Sequence, residues 1–352
     1  MSAASRLTRA WYAPRATALA NALRPISWLF GALAAARRSA YRNGFLRRVR
    51  LRVPVIVVGN LTAGGAGKTP LVIALVDALR ARGRHPGIVS RGYGRRATDT
   101  RGVELGDDPD DVGDEPLLLA ATGVPVFVGV DRAAAAQALL AAHPQVDVIV
   151  TDDGLQHYAI ARDVEIAVID GARMLGNRLL LPAGPLREPP SRLASVDAIV
   201  TLESGVHALA NGPAREFTMR YAPLPWRNLV DASRVFDVAL LHDAATVAIA
   251  GIAHPERFFA TLRAGGFTGE THAFPDHHRY VRDDLAYPRA RAVLMTEKDA
   301  VKCTAFADAR MWMLPIAARI DPRLVDLVME KVDGLQAARD ARVPRHQGPV
   351  DP

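Results

Sequence analysis

The chain has 352 residues, of which 49% are apolar and 23% are charged, a composition that excludes a disordered or collagen-like protein. This length allows one large α/β domain or two ordinary ones. A single cysteine, Cys303, excludes an intrachain disulfide and indicates a reducing compartment.

The net charge of +7 is distributed unevenly along the chain. Residues 1–52 contain eleven arginines and no lysine, aspartate or glutamate, whereas the rest of the chain has 33 basic against 37 acidic residues. The larger part of the chain therefore lacks the basic face with interleaved aromatic residues that nucleic acid requires, and we expect no nucleic-acid partner. A membrane surface is the better candidate for the basic segment.

The first predicted element is an amphipathic helix within residues 1–50. Its apolar run, residues 26–36, is about half of the roughly 20 residues needed to cross a bilayer. The spacing i, i+3, i+4, i+7 places four apolar side chains on one helix face: Ile26, Leu29, Phe30 and Leu33. Five arginines follow closely: Arg37, Arg38, Arg42, Arg47 and Arg48.

This pattern is typical of an anchor that lies on a membrane surface, with apolar side chains below the headgroups and arginines on lipid phosphates. A helix that packs on the core of the protein is the alternative interpretation. A cleaved signal peptide is less favoured, because Arg24-Pro25 interrupts the apolar run and no small-x-small cleavage site is present.

A phosphate-binding loop follows the first buried strand. Residues 53–58 form an almost continuous apolar run, and a helical pattern covers residues 71–82. The loop between them reads Gly59-Asn60-Leu61-Thr62-Ala63-Gly64-Gly65-Ala66-Gly67-Lys68-Thr69-Pro70. Its glycines let backbone N–H groups close around phosphate oxygens, and the following helix directs its positive dipole end at the same anion.

The residues of this loop have expected roles in binding ATP and Mg²⁺. Lys68 reaches the β- and γ-phosphates, and Thr69 offers its hydroxyl to Mg²⁺. Thr62 stands where the usual pattern has its first glycine. The predicted nucleotide-binding residues of the loop are Thr62, Ala63, Gly64, Gly65, Ala66, Gly67, Lys68 and Thr69.

Two carboxylates, Asp152 and Asp153, end a second apolar strand at residues 146–151. Carboxylates at the carboxyl end of a parallel strand face the crevice where ligands bind in open α/β sheets. An Asp-Asp-Gly sequence also makes an ordinary turn. Because the pair follows a P-loop, we predict that both residues hold Mg²⁺.

The repeated pattern of strands and helices predicts an α/β fold, a doubly wound and mostly parallel P-loop sheet with a second, smaller α/β lobe. Residues 51–215 would form the nucleotide-binding domain and residues 216–345 the second lobe. The junction falls near residues 203–230, where five residues break the pattern: Gly205, Gly212, Pro213, Pro223 and Pro225. The predicted strands are 53–58, 86–90, 124–130, 146–151, 165–170 and 196–202, then 246–252 and 292–296.

Seven stretches occur in a specific order along the chain: Val58–Pro70, Ser90–Arg95, Val112–Pro116, Thr151–His157, Gly184–Glu188, Phe274–His278 and Met295–Cys303. In this order they resemble the tetraacyldisaccharide 4'-kinase family of lipid A biosynthesis, whose loop also has the Thr62 departure. The resemblance implies a kinase that uses MgATP to phosphorylate the 4'-hydroxyl of a tetraacylated glucosamine disaccharide 1-phosphate. It further implies the cytoplasmic face of the bacterial inner membrane and no obligate protein partner.

The resemblance also implies the catalytic residues. Asp114 would be the base, working as a dyad with His277 of the Asp-His motif, while spacing alone favours a solvated acidic loop around Asp114. The sequence leaves open whether His277 or its neighbour His278 faces the site. By the same resemblance, Glu188 joins the metal environment and Arg187 contacts phosphate.

Two further segments have less definite roles. Arg91 and Arg95 flank a glycine turn after the strand at 86–90 and could grip a phosphate of the nucleotide or of the lipid. The segment Thr296–Asp299 could read a purine edge, and an equal interpretation is a helix N-cap.

Because the P-loop and His277 belong to different predicted lobes, we expect the lobes to close over the nucleotide. The main rival function is a membrane-associated P-loop ATPase that acts as a switch or partitioning factor. A P-loop kinase or ligase for a small soluble metabolite is a second rival. Neither rival explains the arginine-rich amphipathic start together with the Asp-His-His segment.

Overall fold

A computed structural model describes residues 3–203, 209 and 212–340 of the protein. Gly205 of the predicted junction and residues 341–345 of the predicted second lobe lie outside the described residues. The helices of the described part are α1 (Ala3–Trp11), α2 (Ala18–Arg42), α3 (Lys68–Ala81), α4 (Pro109–Val112), α5 (Asp114–Ala120), α6 (Arg132–Ala142), α7 (Pro255–Ala264), α8 (Glu297–Ala300) and α9 (Pro322–Asp340).

The strands are spread over two sheets. In chain order they are β1 (Val55–Gly59), β2 (Pro86–Ser90), β3 (Arg101–Gly102), β4 (Val126–Val128), β5 (Val148–Thr151), β6 (Val164–Asp170), β7 (Ala198–Leu202), β8 (Arg215–Pro223), β9 (Arg227–Asn228), β10 (Thr246–Ala250), β11 (Glu270–Ala273), β12 (Ala292–Thr296), β13 (Met311–Leu314) and β14 (Ile316–Ile320).

The larger sheet has nine strands in the order β14-β8-β7-β6-β1-β5-β2-β4-β3. Its seven inner strands run parallel, and β14 and β3 pair antiparallel at the two edges. Apolar clusters cover both faces of this sheet, which explains why its central strands are uniformly apolar. The predicted α/β class with a mostly parallel sheet is confirmed.

The smaller sheet has the order β11-β10-β12-β13-β9, in which only β9 is antiparallel. Two apolar clusters flank this sheet as well, one of them built around Phe259 and Trp312. In both sheets the carboxyl ends of the parallel strands carry the polar loops of the site, as expected for an open α/β sheet.

The chain returns to the first lobe after the second lobe is complete. Strand β14 pairs antiparallel with β8, and the apolar side of α9 joins the core of the nine-stranded sheet through Leu324, Leu327 and Val328. The structure therefore differs from the sequence-based division, which assigned residues 216–345 to the second lobe. The reason is that β8 and β14 pair across a long stretch of chain, a contact that local periodicity does not report.

Helix α2 extends well beyond the apolar run found in the sequence, because it continues through Pro25 from Ala18 to Arg42. By length and composition it is the one helix of the described residues that could cross a membrane. In its middle the helix contacts the body through Ser27, whose Oγ donates to the Leu180 carbonyl and accepts from the Ala183 amide, both at 2.9 Å. Apolar side chains on the other side are exposed, with Trp28 at 70%, Leu29 at 62% and Leu33 at 63%.

Candidate active site

The P-loop adopts a backbone shape that only glycine accepts readily. Gly64 and Gly67 have φ values of +98° and +88°, in the left-handed region. The Asn60 side-chain amide donates to the Gly64 carbonyl at 3.3 Å and to the Thr62 hydroxyl at 3.4 Å, which holds the loop closed. Helix α3 begins at Lys68, so that its first backbone N–H groups point toward the space enclosed by the loop.

The Pro-rich loop at 181–190 lies against the P-loop through backbone hydrogen bonds. The Ala63 amide donates to the Pro185 carbonyl and the Arg187 amide donates to the Leu61 carbonyl, each at 2.7 Å. This pairing explains why residues far apart in the sequence meet here, and it brings the Arg187 side chain to the end of β5.

The two aspartates after β5 have different surroundings. Asp152 is 1% exposed, and its Oδ2 accepts a hydrogen bond from Thr69 Oγ1 at 3.1 Å. Burial, together with the nearby Glu115 carboxylate, raises the pKa of Asp152 to about 7. Its Oδ1 is buried and has no hydrogen-bond partner. A buried carboxylate oxygen of this kind, next to a threonine hydroxyl, fits the donor set that Mg²⁺ prefers.

Asp153 is surrounded by cations. Arg187 Nη1 lies 3.0 Å from both carboxylate oxygens, and Lys68 Nζ lies 3.7 Å from Oδ1. Burial opposes ionisation, but Lys68 and Arg187 outweigh it and lower the pKa of Asp153 to about 2. Arg132, at the start of α6, donates from Nη2 to the Asp153 carbonyl at 2.8 Å. Sequence reasoning missed Arg132, because its contact with Asp153 depends on how α6 packs beside β5.

Glu188 is buried in a neighbouring polar network, which Gln156 connects to Arg187 and to the Asn60 carbonyl of the P-loop. Its carboxylate accepts hydrogen bonds from Tyr158 Oη and from Gln156 Nε2, and it lies 3.8 Å from Arg38 Nη1 and from Arg192 Nε. Among the described residues, no group of three or more His, Cys, Asp and Glu side chains is arranged to hold a metal ion. The contacts of Glu188 therefore favour a role in holding its arginine and tyrosine neighbours over a direct metal contact.

The predicted base and its partner meet across the two lobes. His277 Nδ1 lies 3.1 Å and 3.0 Å from the two oxygens of Asp114, which begins α5 and is 5% exposed. The hydrogen bond that His277 donates to Asp114 raises the pKa of His277 above its ordinary value, against the effect of burial. Burial likewise opposes the charge of Asp114, but His277 and Lys298 outweigh it and the pKa of Asp114 is lowered. His277 itself has φ +59°, an uncommon backbone conformation outside glycine.

The second histidine of the motif faces elsewhere. His278 Nε2 lies 2.9 Å from Asp284 Oδ2, and its ring stacks on Phe274 within the second lobe. The sequence could not separate the two histidines. The structure places His277, and not His278, against Asp114.

The segment Thr296–Asp299 forms a helix start and also reaches the dyad. The Thr296 hydroxyl accepts from the Asp299 amide at 3.2 Å, which is the N-cap arrangement considered from the sequence. Lys298 extends toward Asp114 and His277, a position that sequence reasoning missed. One signal was available: only four of the 44 basic residues are lysines, Lys68, Lys298, Lys302 and Lys331.

The arginines after β2 are not arranged as an open phosphate clamp. Arg95 turns toward Asp99, donating to its carbonyl and lying 3.6 Å from its carboxylate. Arg91 lies close enough to Arg132 for their charges to interact. Of the two, only Arg91 thus belongs to the cationic side of the Asp152–Asp153 cluster.

Comparisons with known proteins agree on one family. A family model described as tetraacyldisaccharide-1-P 4'-kinase matches residues 19–333 of the chain. The tetraacyldisaccharide 4'-kinase of Chromobacterium violaceum is 49% identical over 328 residues, which cover 92% of this chain and 96% of that protein. The enzyme of the same description from Alkalilimnicola ehrlichii is 52% identical over 309 residues, covering 86% and 89%.

The fold is also similar to a solved structure. The crystal structure of LpxK from Aquifex aeolicus in complex with ATP gives a TM-score of 0.73 at 28% sequence identity, covering 89% of this chain and 99% of that chain. These matches confirm the resemblance found in the ordered sequence motifs.

Proposed function

The chain belongs to the tetraacyldisaccharide-1-P 4'-kinase family, and from this premise we propose that Asp114 and His277 deprotonate the sugar hydroxyl that receives the phosphoryl group. The protein is an ATP-dependent kinase that phosphorylates the 4'-hydroxyl of a tetraacylated glucosamine disaccharide 1-phosphate in lipid A biosynthesis. The alternative of a membrane-associated switch ATPase is not favoured.

The observation that carries the proposal is the contact between Asp114 and His277 at 3.0 Å. An ionised carboxylate only accepts hydrogen bonds, so the proton between the two residues belongs to Nδ1, and Nε2 carries the free electron pair. The 4'-hydroxyl then gives its proton to Nε2 as its oxygen attacks the γ-phosphorus. A new P–O bond forms, the bond between the β-bridging oxygen and the γ-phosphorus breaks, and ADP leaves.

We assign the phosphate side of the reaction to the P-loop and to the cations around Asp153. Lys68 and the backbone N–H groups at the start of α3 bind the β- and γ-phosphates, and Arg187 adds a guanidinium to the same side. Thr69, Asp152 and Asp153 are the residues that would hold Mg²⁺. When bound, the ion neutralises charge on the β- and γ-phosphate oxygens. The buried Asp152 oxygen without a partner supports this assignment.

We propose that α2 attaches the enzyme to the cytoplasmic face of the inner membrane without crossing it. Two observations support this orientation: Ser27 binds the body of the protein, and Arg37 and Arg38 contact Gln156 and Glu188 close to the site. A helix tied to the catalytic lobe at its middle and near its carboxyl end can lie in the interface with its exposed face in the lipid. Four acyl chains tie the substrate to the same surface, since each buried CH₂ contributes about 0.8 kcal/mol.

The base assignment is tested with labelled ATP and the tetraacylated disaccharide 1-phosphate in detergent. We expect Asp114→Asn and His277→Gln to lower kcat by about 10²–10⁴-fold while the affinity for ATP stays close to that of the wild type. His278→Gln is the matched control, because His278 pairs with Asp284 instead, and its kcat should be close to that of the wild type.

Two results would speak against the proposal. Normal turnover of Asp114→Asn would remove the base role. ATP hydrolysis that is independent of the lipid, with no label transferred to it, would instead favour the switch ATPase.

A further inference from the structure

Lys298 places a partly buried ammonium between the two lobes, beside the proposed base. Lys298 is the second residue of α8, and its side chain is 18% exposed. Four groups surround Nζ: Glu115 Oε1 at 3.2 Å, His277 Nε2 at 3.4 Å, Asp276 Oδ1 at 3.5 Å and Asp114 Oδ2 at 3.7 Å. The proposed reaction gives this cation no role.

The other charged groups that face His277 are carboxylates. Asp114, on α5, binds Nδ1, and Asp276, in the loop of His277 itself, lies 3.8 Å from Nε2. Glu115, also on α5, reaches the same space through Lys298. The Tyr93 ring lies 5.1 Å from the imidazole ring of His277, measured between the ring centroids. The Lys302 ammonium is paired with Asp299, at 2.9 Å from its Oδ1.

These carboxylates favour the imidazolium form of His277, which has no electron pair to accept a proton. Among the described residues, Lys298 is the one cation in contact with the imidazole, and its charge opposes that protonation. The Lys298 ammonium also donates toward Nε2, the nitrogen that must stay unprotonated.

We propose that Lys298 is a positioning residue that keeps His277 in its neutral, proton-accepting form, an inference that rests on the base role proposed for Asp114 and His277. Lys298 donates to Nε2 before the substrate binds, and the 4'-hydroxyl takes its place. The positive charge stays close by and disfavours the imidazolium, so that the transferred proton is released again after the reaction.

Lys298 keeps its own charge over the range in which His277 titrates. Burial lowers the pKa of Lys298, but the carboxylates of Glu115, Asp114 and Asp276 outweigh burial, and the net effect is a raised pKa. The ammonium is therefore a fixed charge in this site, and its effect on His277 does not fade as the pH rises through neutrality.

The test is the pH dependence of kcat/KM for the lipid, measured for the full-length enzyme from about pH 5 to about pH 9. We call the low-pH part of this profile, where kcat/KM rises with pH, the acidic limb. Lys298→Met removes the positive charge and so favours the imidazolium form of His277. We therefore expect the midpoint of the acidic limb to lie about 1 pH unit higher in this variant than in the wild type. At a fixed pH below this midpoint, kcat/KM of the variant should then be roughly tenfold lower than that of the wild type. Asp276→Asn removes a negative charge and should move the limb in the opposite direction.

Two further variants distinguish the effect of the Lys298 charge on the pH profile from the effect of its packing. Lys298→Arg keeps the charge and should leave the limb at its wild-type position, even if kcat falls. Lys331→Met removes a lysine that pairs with Asp197 on the surface of the first lobe, and its profile should match the wild type. A limb that stays in place in Lys298→Met, with activity lowered equally at all pH values, would overturn the inference and leave Lys298 a structural contact.

A second measurement keeps the failure of this inference distinct from failure of the base assignment. The chemical shifts of the His277 ring protons are followed by NMR as a function of pH. These signals are identified by their absence from the spectrum of His277→Gln. If His277→Gln retains both turnover and the acidic limb, the base assignment fails. If the base assignment holds but the His277 titration is the same in wild type and Lys298→Met, the inference about Lys298 fails alone.

Discussion

At the scale of single residues, the site consists of groups that the fold holds in unfavourable states. Asp152 is a buried carboxylate with an unpaired oxygen, and both Asp153 and His277 have positive φ values of +48° and +59°. Such features persist only where surrounding structure enforces them, and they concentrate where proteins bind ligands or catalyse reactions. Binding of phosphate and metal is the event that would compensate for them.

Asp152→Asn should therefore stabilise the protein while removing activity. The pKa of Asp152 is raised from 3.8 to about 7, so the folded protein holds a proton that the unfolded chain releases, and stability falls as pH rises through that window. In protein treated with a chelator and without nucleotide, the substitution removes the free-energy cost of a buried, ionised carboxylate. We expect Tm at about pH 8 to rise by roughly 2–4 °C for each kcal/mol of this cost. The gain should shrink as the pH falls toward about 3, below the unfolded value of 3.8, where the carboxyl is protonated in both states.

Asp153→Asn is the control, because this substitution should change Tm in the opposite direction. The pKa of Asp153 is lowered to about 2, so its charge stabilises the folded protein above 3.8 and this contribution is lost only as pH falls through the folded value. Asp153→Asn should accordingly lower Tm at about pH 8. Equal changes in Tm for the two variants would show that their electrostatic environments do not differ as described.

Gly67→Ala should distort the P-loop for two separable reasons. A Cβ at this position would lie 2.6 Å from Tyr221 Oη, and φ is +88°. We expect ATP affinity to fall at least tenfold, because the backbone N–H groups no longer converge on phosphate. Adding Tyr221→Phe removes the clashing oxygen and should restore part of the affinity, since the conformational cost remains. No recovery in the double variant would assign the whole effect to the backbone.

At the scale of elements, the predictable parts were those with local signals. The P-loop helix and eight of the parallel strands follow from apolar periodicity and turn residues, which act over a few positions: β1, β2, β4, β5, β6, β7, β10 and β12. The parallel strands β8, β11 and β13 were not predicted. Strands β3, β9 and β14 are short or at sheet edges, and their formation depends on partners distant in the chain. The same reason explains why Lys298 and Arg132 escaped prediction: each has its role only through packing between elements.

Helix α2 contacts the body of the protein on one side and has exposed apolar side chains on the other, the side that we propose faces the membrane. Leu29→Gln with Leu33→Gln changes only exposed side chains, and we expect binding to anionic vesicles to weaken by about tenfold per leucine, because each apolar burial contributes roughly 1.5–3 kcal/mol. Thermal stability in detergent-free buffer should be unchanged. The measurement is vesicle co-sedimentation at fixed salt.

Val235→Gln is the matched control for this experiment, since Val235 is 91% exposed but lies in the second lobe. Its vesicle binding should equal that of the wild type. If Val235→Gln weakened binding as much as the α2 substitutions, the membrane-facing surface would have to include the second lobe, and α2 could not be the principal anchor.

At the scale of the whole molecule, the two lobes meet through several polar contacts and through an apolar contact, in which Val301 packs on the cluster of Val112, Leu117 and Val128. His277 and Lys298 reach α5, Arg279 Nε lies 3.0 Å from Asp110, and Arg257 Nη2 lies 2.6 Å from Asp170. The chain crosses between the lobes twice, at 223–227 and at 314–316, next to the paired strands β8 and β14. An interface of this kind permits relative movement more readily than an apolar one.

Lobe closure over the nucleotide is the prediction that belongs to this scale. A Cβ added to the P-loop residue Gly65 would lie 3.3 Å from the Ala253 Cβ, so the second lobe closely approaches the loop that we expect to bind the phosphates. Cys303 is fully buried, which leaves engineered surface cysteines as the only labelling sites.

With donor and acceptor dyes on Val130→Cys and Val235→Cys, we expect MgATP to narrow the distribution of interlobe distances. Raising salt from about 0.1 M to about 1 M shortens the Debye length from about 10 Å to about 3 Å, and should broaden the distribution of the nucleotide-free protein. A distribution that neither nucleotide nor salt alters would mean that the lobes form one rigid body, with the dyad assembled before any ligand arrives.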